Sequence, residues 1–270
     1  MKKKHLLLMA LTFVSFGLFA QSKITINGHV KFIEDGFKIT VFQRSGTSRN
    51  VLAETLVNED NTYSLEVPVG LPGEAVVDCG GWQSVNVWLE DENLGIDFRG
   101  VDTAKIKIKN PPYVYIRGGK NNELMNLINY EGYRNYQRMI AISQDVYRAN
   151  IQDEAEKSKL SMSLYGMNGD NFAAYMRYFA EHYTDRNSVL VAIASLNEEE
   201  DKALIEEALS ELENLSPVSK TLVDNLRKAR AEKKAKQERM KVGNPAPAFT
   251  CQNPKGKNLS PAKYKGKVLV

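Results

Sequence analysis

Two cysteines, Cys79 and Cys251, are the residues of this chain best suited to thiol chemistry. A thiol–disulfide exchange site needs a thiolate of lowered pKa near a helix N-terminus and a resolving thiol three positions further on. The two cysteines stand 172 positions apart, and neither belongs to a C-x-x-C pair. We therefore expect both thiols to be buried as small apolar side chains, with a redox or partner-linking thiol as the alternative.

The chain has few residues of the types that bind transition metals, because it contains only three histidines and two cysteines. His182 has no second histidine at helical spacing, and His29 falls on a predicted strand with no carboxylate partner identifiable in sequence. The glutamates Glu198–Glu200 indicate a solvated helix start rather than a metal site. Glu59, Asp60 and Asn61 could bind calcium, but they lack the spacing of an EF-hand loop, so a hairpin turn explains them better. The sequence thus indicates no metal ligand, no cofactor-binding residue and no catalytic residue.

Two further features of the sequence are candidate ligand-binding sites: a glycine-containing step and a set of aromatic residues. The step Arg117-Gly118-Gly119-Lys120 combines glycines with a lysine, but it lacks the spacing of a P-loop and indicates a strand-to-helix turn. The first half of the chain is rich in tyrosine and tryptophan, which predicts core packing and leaves an aromatic groove for a peptide or a sugar as the alternative. These aromatic residues are Trp82, Trp88, Tyr113, Tyr115, Tyr130, Tyr133 and Tyr136.

Composition limits the class of protein. The 270 residues are 43% hydrophobic and 26% charged, as in an ordinary globular chain of one large or two smaller domains. Lysine and arginine number 36 against 33 aspartates and glutamates, and removal of Lys2–Lys4 leaves 33 of each sign. This balance removes the electrostatic case for nucleic-acid binding.

The first twenty residues have the order of a secretory signal peptide. A basic start at Lys2–His5 is followed by 14 mainly apolar residues, Leu6–Phe19, and then by the small residue Ala20. The apolar run is shorter than the roughly 20 residues of a spanning helix. We expect export to the periplasm or cell envelope, with residues 1–20 removed and no membrane span left in the mature chain. An uncleaved membrane anchor is the alternative.

Residues 23–117 have the pattern of an antiparallel β-domain. Apolar residues alternate with polar ones, for example in Tyr63-Ser64-Leu65-Glu66-Val67 and in Lys105–Lys109, which is typical of strands with one buried face. Turn sequences such as Glu34-Asp35-Gly36 and Gly70–Gly73 separate the runs. About seven to nine short strands at this spacing predict a β-sandwich.

Residues 118–240 have the pattern of a helical domain. Apolar stripes at spacings of three and four predict helices over 121–150, 172–179 and 204–215, the last with Glu198–Asp201 in its first turn. Ser216-Pro217 combines an N-cap with proline at the first helical position, and the basic helix it opens should end near Met240.

Residues 241–270 change character again. Ala248–Cys251 predicts a strand, Asn253–Gly256 a turn and Asn258-Leu259 a return strand, after which Val268–Val270 begins an apolar run. Such a run is typical of a strand buried on both faces. We expect this segment to be the incomplete start of a further domain.

The same segment resembles a known family. Val242-Gly243-Asn244-Pro245-Ala246-Pro247-Ala248-Phe249, then Gly256-Lys257, Leu259-Ser260 and Lys265–Val270, is similar to the opening of thioredoxin-like oxidoreductases of the TlpA and peroxiredoxin-related type. The signal peptide, β-domain, glycine step and helices also resemble the layout of envelope members of that group, whose N-terminal β-domain has no known function.

The resemblance implies an exported thiol–disulfide oxidoreductase acting on protein thiols and disulfides, in which a C-x-x-C pair follows the apolar strand. The sequence stops before that pair, so the chain would be the N-terminal portion of such a protein, without its redox cysteines. The alternative is an exported, non-catalytic binding or interaction protein that uses the β-domain and the helices to hold a partner or a ligand.

Overall fold

The computed structural model describes residues 22–101, 113–244, 248 and 250–260. Three sequence predictions concern segments outside the described residues: the signal peptide 1–20, the strand at Lys105–Lys109 and the apolar run Val268–Val270.

Strands precede helices along the chain, which confirms an α+β fold with antiparallel sheets followed by a helical region. The chain forms two compact units, Met1–Tyr133 and Arg134–Val270, and the division between them falls inside one long helix. The strands of the first unit are β1 (Ser22–Phe32), β2 (Lys38–Ser45), β3 (Ser48–Leu56), β4 (Thr62–Val69), β5 (Gly73–Cys79), β6 (Gln83–Leu89), β7 (Leu94–Ile96), β8 (Phe98–Gly100) and β9 (Ile116–Arg117).

These strands form two sheets. One has the order β4-β1-β7-β9 with β8 also paired to β1, and the other has the order β3-β2-β5-β6. Pairing is antiparallel except that β7 and β8 run parallel to β1. The predicted alternation is present, since Tyr63, Leu65 and Val67 are buried while Ser64 and Glu66 are exposed.

Strand β3 departs from simple alternation. Its register against β2 shifts between Val41 and Phe42, which pair with Ala53 and Val51, so that Leu52 has no partner on β2. This is a β-bulge, and it turns the side chain of the extra residue out of the regular pattern. Because of this extra residue, apolar and polar residues do not alternate regularly along the sequence of β3.

The helices are α1 (Lys120–Arg148), α2 (Glu154–His182), α3 (Val189–Ala194), α4 (Lys202–Glu213) and α5 (Pro217–Arg239). Ser216 is the N-cap of α5, and its hydroxyl accepts a hydrogen bond from the backbone N–H of Ser219, as the Ser-Pro pair predicts. The predicted first turn of α4 is wrong: Glu198–Glu200 form a turn before the helix, because the side chain of Asn197 accepts bonds from the backbone of Glu199 and Glu200.

The second unit packs its helices around an apolar core and ends in a small hairpin. The core residues are Met176, Phe179, Val189, Ile193, Ile205, Leu209, Leu212, Leu222 and Val223. Strands β10 (Cys251–Gln252) and β11 (Asn258–Leu259) pair antiparallel, which confirms the predicted hairpin. Among the described residues, no helix combines the length and apolar composition that crossing a membrane requires.

Candidate functional site

The thiol of Cys79 is fully buried at the end of β5. Burial and the nearby Asp78 raise its pKa to about 12, so that almost none of it is thiolate at neutral pH. Because the thiolate is the nucleophile in disulfide exchange, this cysteine is inert in the folded protein. The prediction of a buried small side chain is confirmed.

Cys251 lies in β10 and is exposed, so the prediction that it points into a core is wrong. Strand β10 pairs with β11 alone among the described residues, and a two-stranded hairpin has no core to receive the thiol. The turn is nevertheless well formed, since Asn253 Oδ1 accepts bonds from the backbone of Lys255 and Lys257. Cys251 is thus a single accessible thiol with no partner cysteine in the chain.

The glycine step before α1 is a strand-to-helix turn, as predicted, and the carboxylate of Glu92 occupies the place where an anion would bind. Glu92 accepts bonds from the backbone N–H of Asn121 (2.9 Å) and of Asn122 (3.3 Å) at the positive end of the helix. A Cβ at Gly119 would lie 2.6 Å from this carboxylate, so glycine is needed for the close approach. The helix therefore carries its own anion.

Asparagines on α1 bind the backbone of strands at the edges of both sheets. The side chain of Asn122 accepts from the N–H of Trp88 (3.0 Å) and donates to its carbonyl (2.9 Å), as a neighbouring strand would. Asn126 makes the same pair of bonds with Ile116, at 2.9 and 2.7 Å. Asn129 donates to the carbonyl of Asn86. These contacts protect the edges of β6 and β9.

Another amide side chain protects a third edge. Gln83 Oε1 accepts from the backbone of Arg99 (2.7 Å) and Gly100 (3.3 Å), the residues of β8. Bonds of this kind join residues 10 to 43 positions apart, and sequence spacing carries no signal for them.

The histidines do not form a reactive site. The backbone N–H of His29 donates to Asp97 Oδ1, and Arg117 holds the other oxygen at 2.6 Å, so Arg117 and this N–H keep the pKa of Asp97 below its usual range. His182 is exposed at the end of α2, with its ring centre 4.4 Å from that of Tyr178. Within the described ranges, no group of three or more His, Cys, Asp or Glu side chains could hold a metal ion.

The aromatic residues divide into a buried and an exposed set. Trp88 is 3% exposed and donates from its indole to Glu90, as core packing predicts. Tyr115, Tyr130 and Tyr136 are 44 to 58% exposed, so for them that prediction is wrong.

A cavity of about 350 Å³ lies between β3 and the end of β4. Its lining side chains are apolar apart from the amide of Gln43, although polar atoms make up nearly half of the exposed lining surface, and they include the bulge residue Leu52 and the turn that follows β4. The lining residues are Gln43, Leu52, Pro68, Val69, Gly70, Leu71, Pro72 and Leu89. We call it the β3–β4 cavity. Sequence patterns gave no indication of it, because the bulge that directs Leu52 into it is set by pairing with β2.

The β3–β4 cavity and the exposed thiol of Cys251 are thus two features of the described residues that could take part in binding or in chemistry. The first can receive an apolar group, and the second can form a mixed disulfide. Neither a protein-family model, nor a curated protein, nor a solved structure matches this chain, so its function is inferred from its own chemistry.

Proposed function

We propose that the chain is the N-terminal portion of an exported thioredoxin-like thiol–disulfide oxidoreductase, and that residues 22–260 are a non-catalytic part of it. The observation that carries the proposal is the β10–β11 hairpin, which lies where the resemblance requires a strand, a turn and a return strand. In such a protein the redox pair would follow Val270 in the sequence. The substrates would be thiols and disulfides of exported proteins.

The finer fold belongs to the same proposal. We expect the two sheets of the first unit to form a β-sandwich, since each sheet has one row of buried side chains, such as Ile24 and Val67 in one and Val41 and Val87 in the other. Burial raises the pKa of Tyr63 on β4 well above its usual range, and the nearby Cys79 on β5 adds to the rise, which supports packing of β4 against β5.

The thiols support a non-catalytic role for this portion. Cys79 has a raised pKa and no solvent contact, and Cys251 has no second thiol. The purified chain should therefore reduce insulin in the presence of dithiothreitol no faster than dithiothreitol alone. Catalysis that disappears in Cys251→Ser or Cys79→Ser would contradict this part of the proposal.

The coding DNA beyond codon 270 tests the family assignment directly. An in-frame continuation that encodes an apolar strand and a C-x-x-C pair is the expected result. A stop codon directly after Val270 would overturn the assignment. Export is tested separately by mass spectrometry of the envelope fraction, where the mature protein should begin at about Gln21.

A second candidate is an exported binding protein without catalytic activity. The β3–β4 cavity favours it, because a concave surface that combines apolar side chains with a few polar groups is the usual form of a small binding site. The two candidates are compatible if the binding unit delivers a partner to a redox domain. If the coding sequence contains no redox pair but the chain still binds a partner, the second candidate is supported and the first is excluded.

A further inference from the structure

We propose that the β3–β4 cavity and the edge of β3 beside it bind an extended peptide segment of a partner protein, which carries one branched apolar side chain and one acidic residue close to it. This inference rests on the binding function given above as the second candidate. It does not depend on the oxidoreductase assignment.

The first step concerns the edges of the two sheets. Amide side chains satisfy the edges of β6, β8 and β9, through Asn122, Gln83 and Asn126. Strand β4 carries Pro68, which has no N–H to offer a further strand. Strand β3 pairs with β2 alone among the described residues, and it has neither a proline nor a covering amide there. An unpaired edge offers backbone donors and acceptors to an added strand.

The second step concerns the place on β3 where a strand would add. Leu56 and Thr62 lie at the two ends of a short turn, in which the N–H of Asn58 donates to the carbonyl of Thr62. The cavity lies further along, between Leu52 and the end of β4. The first half of β3, Ser48–Leu52, is therefore the part beside which an extended peptide has room. We call it the open edge.

The third step concerns the side chain that would enter the cavity. Apolar side chains and two prolines line it, and no charged group does. The amide of Gln43 lines the cavity and makes no hydrogen bond to another described residue, so it is available to a backbone group of the peptide. A volume of about 350 Å³ is at the lower end of ligand pockets. These properties suit a leucine, isoleucine or valine side chain with its adjoining backbone.

The open edge carries a positive charge at Arg49. The guanidinium of Arg49 stacks on the ring of Phe42 at 4.8 Å and has no carboxylate partner among the described residues. At the other end of β3, Glu54 is paired with Lys38. The charge of the open edge is therefore positive. Arg49 lies opposite Arg44 and so faces the side opposite to Gln43, and it precedes Leu52 by three residues, about 10 Å along a strand, which places the acidic residue of the partner three positions from its apolar residue.

A second copy of the chain fits this edge less well. Within the open edge the only charged residue is Arg49, so a second β3 would bring another arginine and no carboxylate. Charge complementarity therefore favours a different protein with an acidic, apolar and extended segment.

The test uses one synthetic probe, a fluorescein-labelled acetyl-Thr-Glu-Thr-Thr-Leu-Thr-Thr-Glu-Thr-amide, which presents an acid three positions from leucine on either side and so permits both strand directions. We expect saturable binding by fluorescence anisotropy. Replacement of the leucine by asparagine, or of both glutamates by glutamine, should weaken binding at least tenfold and at least threefold, respectively.

Variants of the chain locate the site. Arg49→Glu and Leu71→Asp change exposed side chains, so both should remain folded, and each should weaken binding at least fivefold. The matched controls Lys228→Glu and Leu160→Asp change an exposed lysine and an exposed leucine of the second unit and should leave binding unchanged. At saturating peptide, alternate backbone amides within Ser48–Leu52 should exchange at least tenfold more slowly, while those of β4 should not change.

Three outcomes would overturn the proposal. Absence of saturable binding excludes this peptide chemistry. Binding that survives both Arg49→Glu and Leu71→Asp leaves the binding function standing but excludes the open edge as its site. A dimer that forms without peptide and protects the amides of Ser48–Leu52 identifies a second copy as the occupant.

Discussion

Glycines lie within strands of the first unit and within helices of the second, but their surroundings differ. In β1, a Cβ at Gly28 would lie 1.7 Å from the carbonyl oxygen of Ile96, the same atom that accepts the hydroxyl of Tyr63. In α2, Gly166 and Gly169 have nothing within 4 Å of the position of a Cβ. Glycine is thus required at position 28 by close backbone approach, whereas at positions 166 and 169 it only weakens a helix.

The two units also differ in how polar groups are used. The first unit joins its elements by buried bonds between amide side chains and the backbone, such as those of Asn122 and Asn126. The second unit has a set of ion pairs, such as Glu213 with Lys220 and Arg227, whose cationic partners are 38 to 55% exposed. Exposed pairs contribute little to stability. The first unit is therefore expected to be the more sensitive to single substitutions.

The largest expected effect is that of Gly28→Ala. The added methyl group would overlap the carbonyl of Ile96, so the pairing of β1 with β7 must shift, at a cost of at least about 4 kcal/mol in the free energy of unfolding. Urea denaturation measures the change, and soluble yield reports a failure to fold. Gly132→Ala in α1 is the control, because its Cβ meets open space and should stabilise the chain. Equal effects of the two substitutions would contradict the role assigned to Gly28.

Asn122→Ala is expected to have the second largest effect. It leaves the buried N–H and carbonyl of Trp88 without a partner, which should lower the free energy of unfolding by about 2 to 4 kcal/mol. Hydrogen exchange should accelerate at β6 in particular. Asn171→Ala, on the exposed side of α2, should change stability by less than about 0.5 kcal/mol. If β6 keeps its protection in Asn122→Ala, the edge does not depend on this side chain.

The helical unit should respond to glycine replacement in the opposite direction. Gly166→Ala and Gly169→Ala together should raise its stability by about 1 to 2 kcal/mol, since each removes a helix-breaking residue from an exposed position. Hydrogen exchange of α2 measures the gain without interference from the first unit. A loss of stability would contradict the open surroundings assigned to these two glycines.

The smallest expected effect is a pH dependence in the first unit. The bond to Arg117 lowers the pKa of Asp97 in the folded protein, so this carboxylate contributes stability above its unfolded pKa of about 3.9, and the contribution is lost as the pH falls through the folded value. Both side chains are about half exposed, so the contribution is below about 1 kcal/mol. Asp97→Asn should flatten the fall in stability between about pH 5 and 3 by that amount. An unchanged slope would show that the pair contributes nothing measurable.

Local patterns in the sequence predicted much of the fold. Alternation identified β4 and β6, and the Ser216-Pro217 pair located the start of α5. Strand β3 was not predicted, because it is an exposed edge with a bulge and its apolar residues therefore do not alternate with polar ones. The first half of α2 was not predicted, because its leucine, methionine and tyrosine residues are partly exposed and form no single buried stripe.

The candidate sites were harder to predict, because they depend on contacts between distant residues. The burial of Cys79 follows from local pattern, but the exposure of Cys251 depends on the absence of a sheet against its hairpin in the described residues. The role of Glu92 depends on a helix that begins 28 positions later, at Lys120. The β3–β4 cavity combines residues from Gln43 to Leu89. Rules based on residue spacing describe neighbours within one helix or strand, so they do not predict contacts between residues this far apart in sequence.

The bond between Asn122 and Trp88 has a consequence for the order of synthesis. The two residues are 34 positions apart, so at about 5 to 20 residues per second the edge of β6 leaves the ribosome about 2 to 7 s before the asparagine that covers it. During that interval the nascent β-unit presents an uncovered strand able to pair with another chain. A translational pause that leaves β6 outside the ribosome while Asn122 is still inside it would lengthen this exposure.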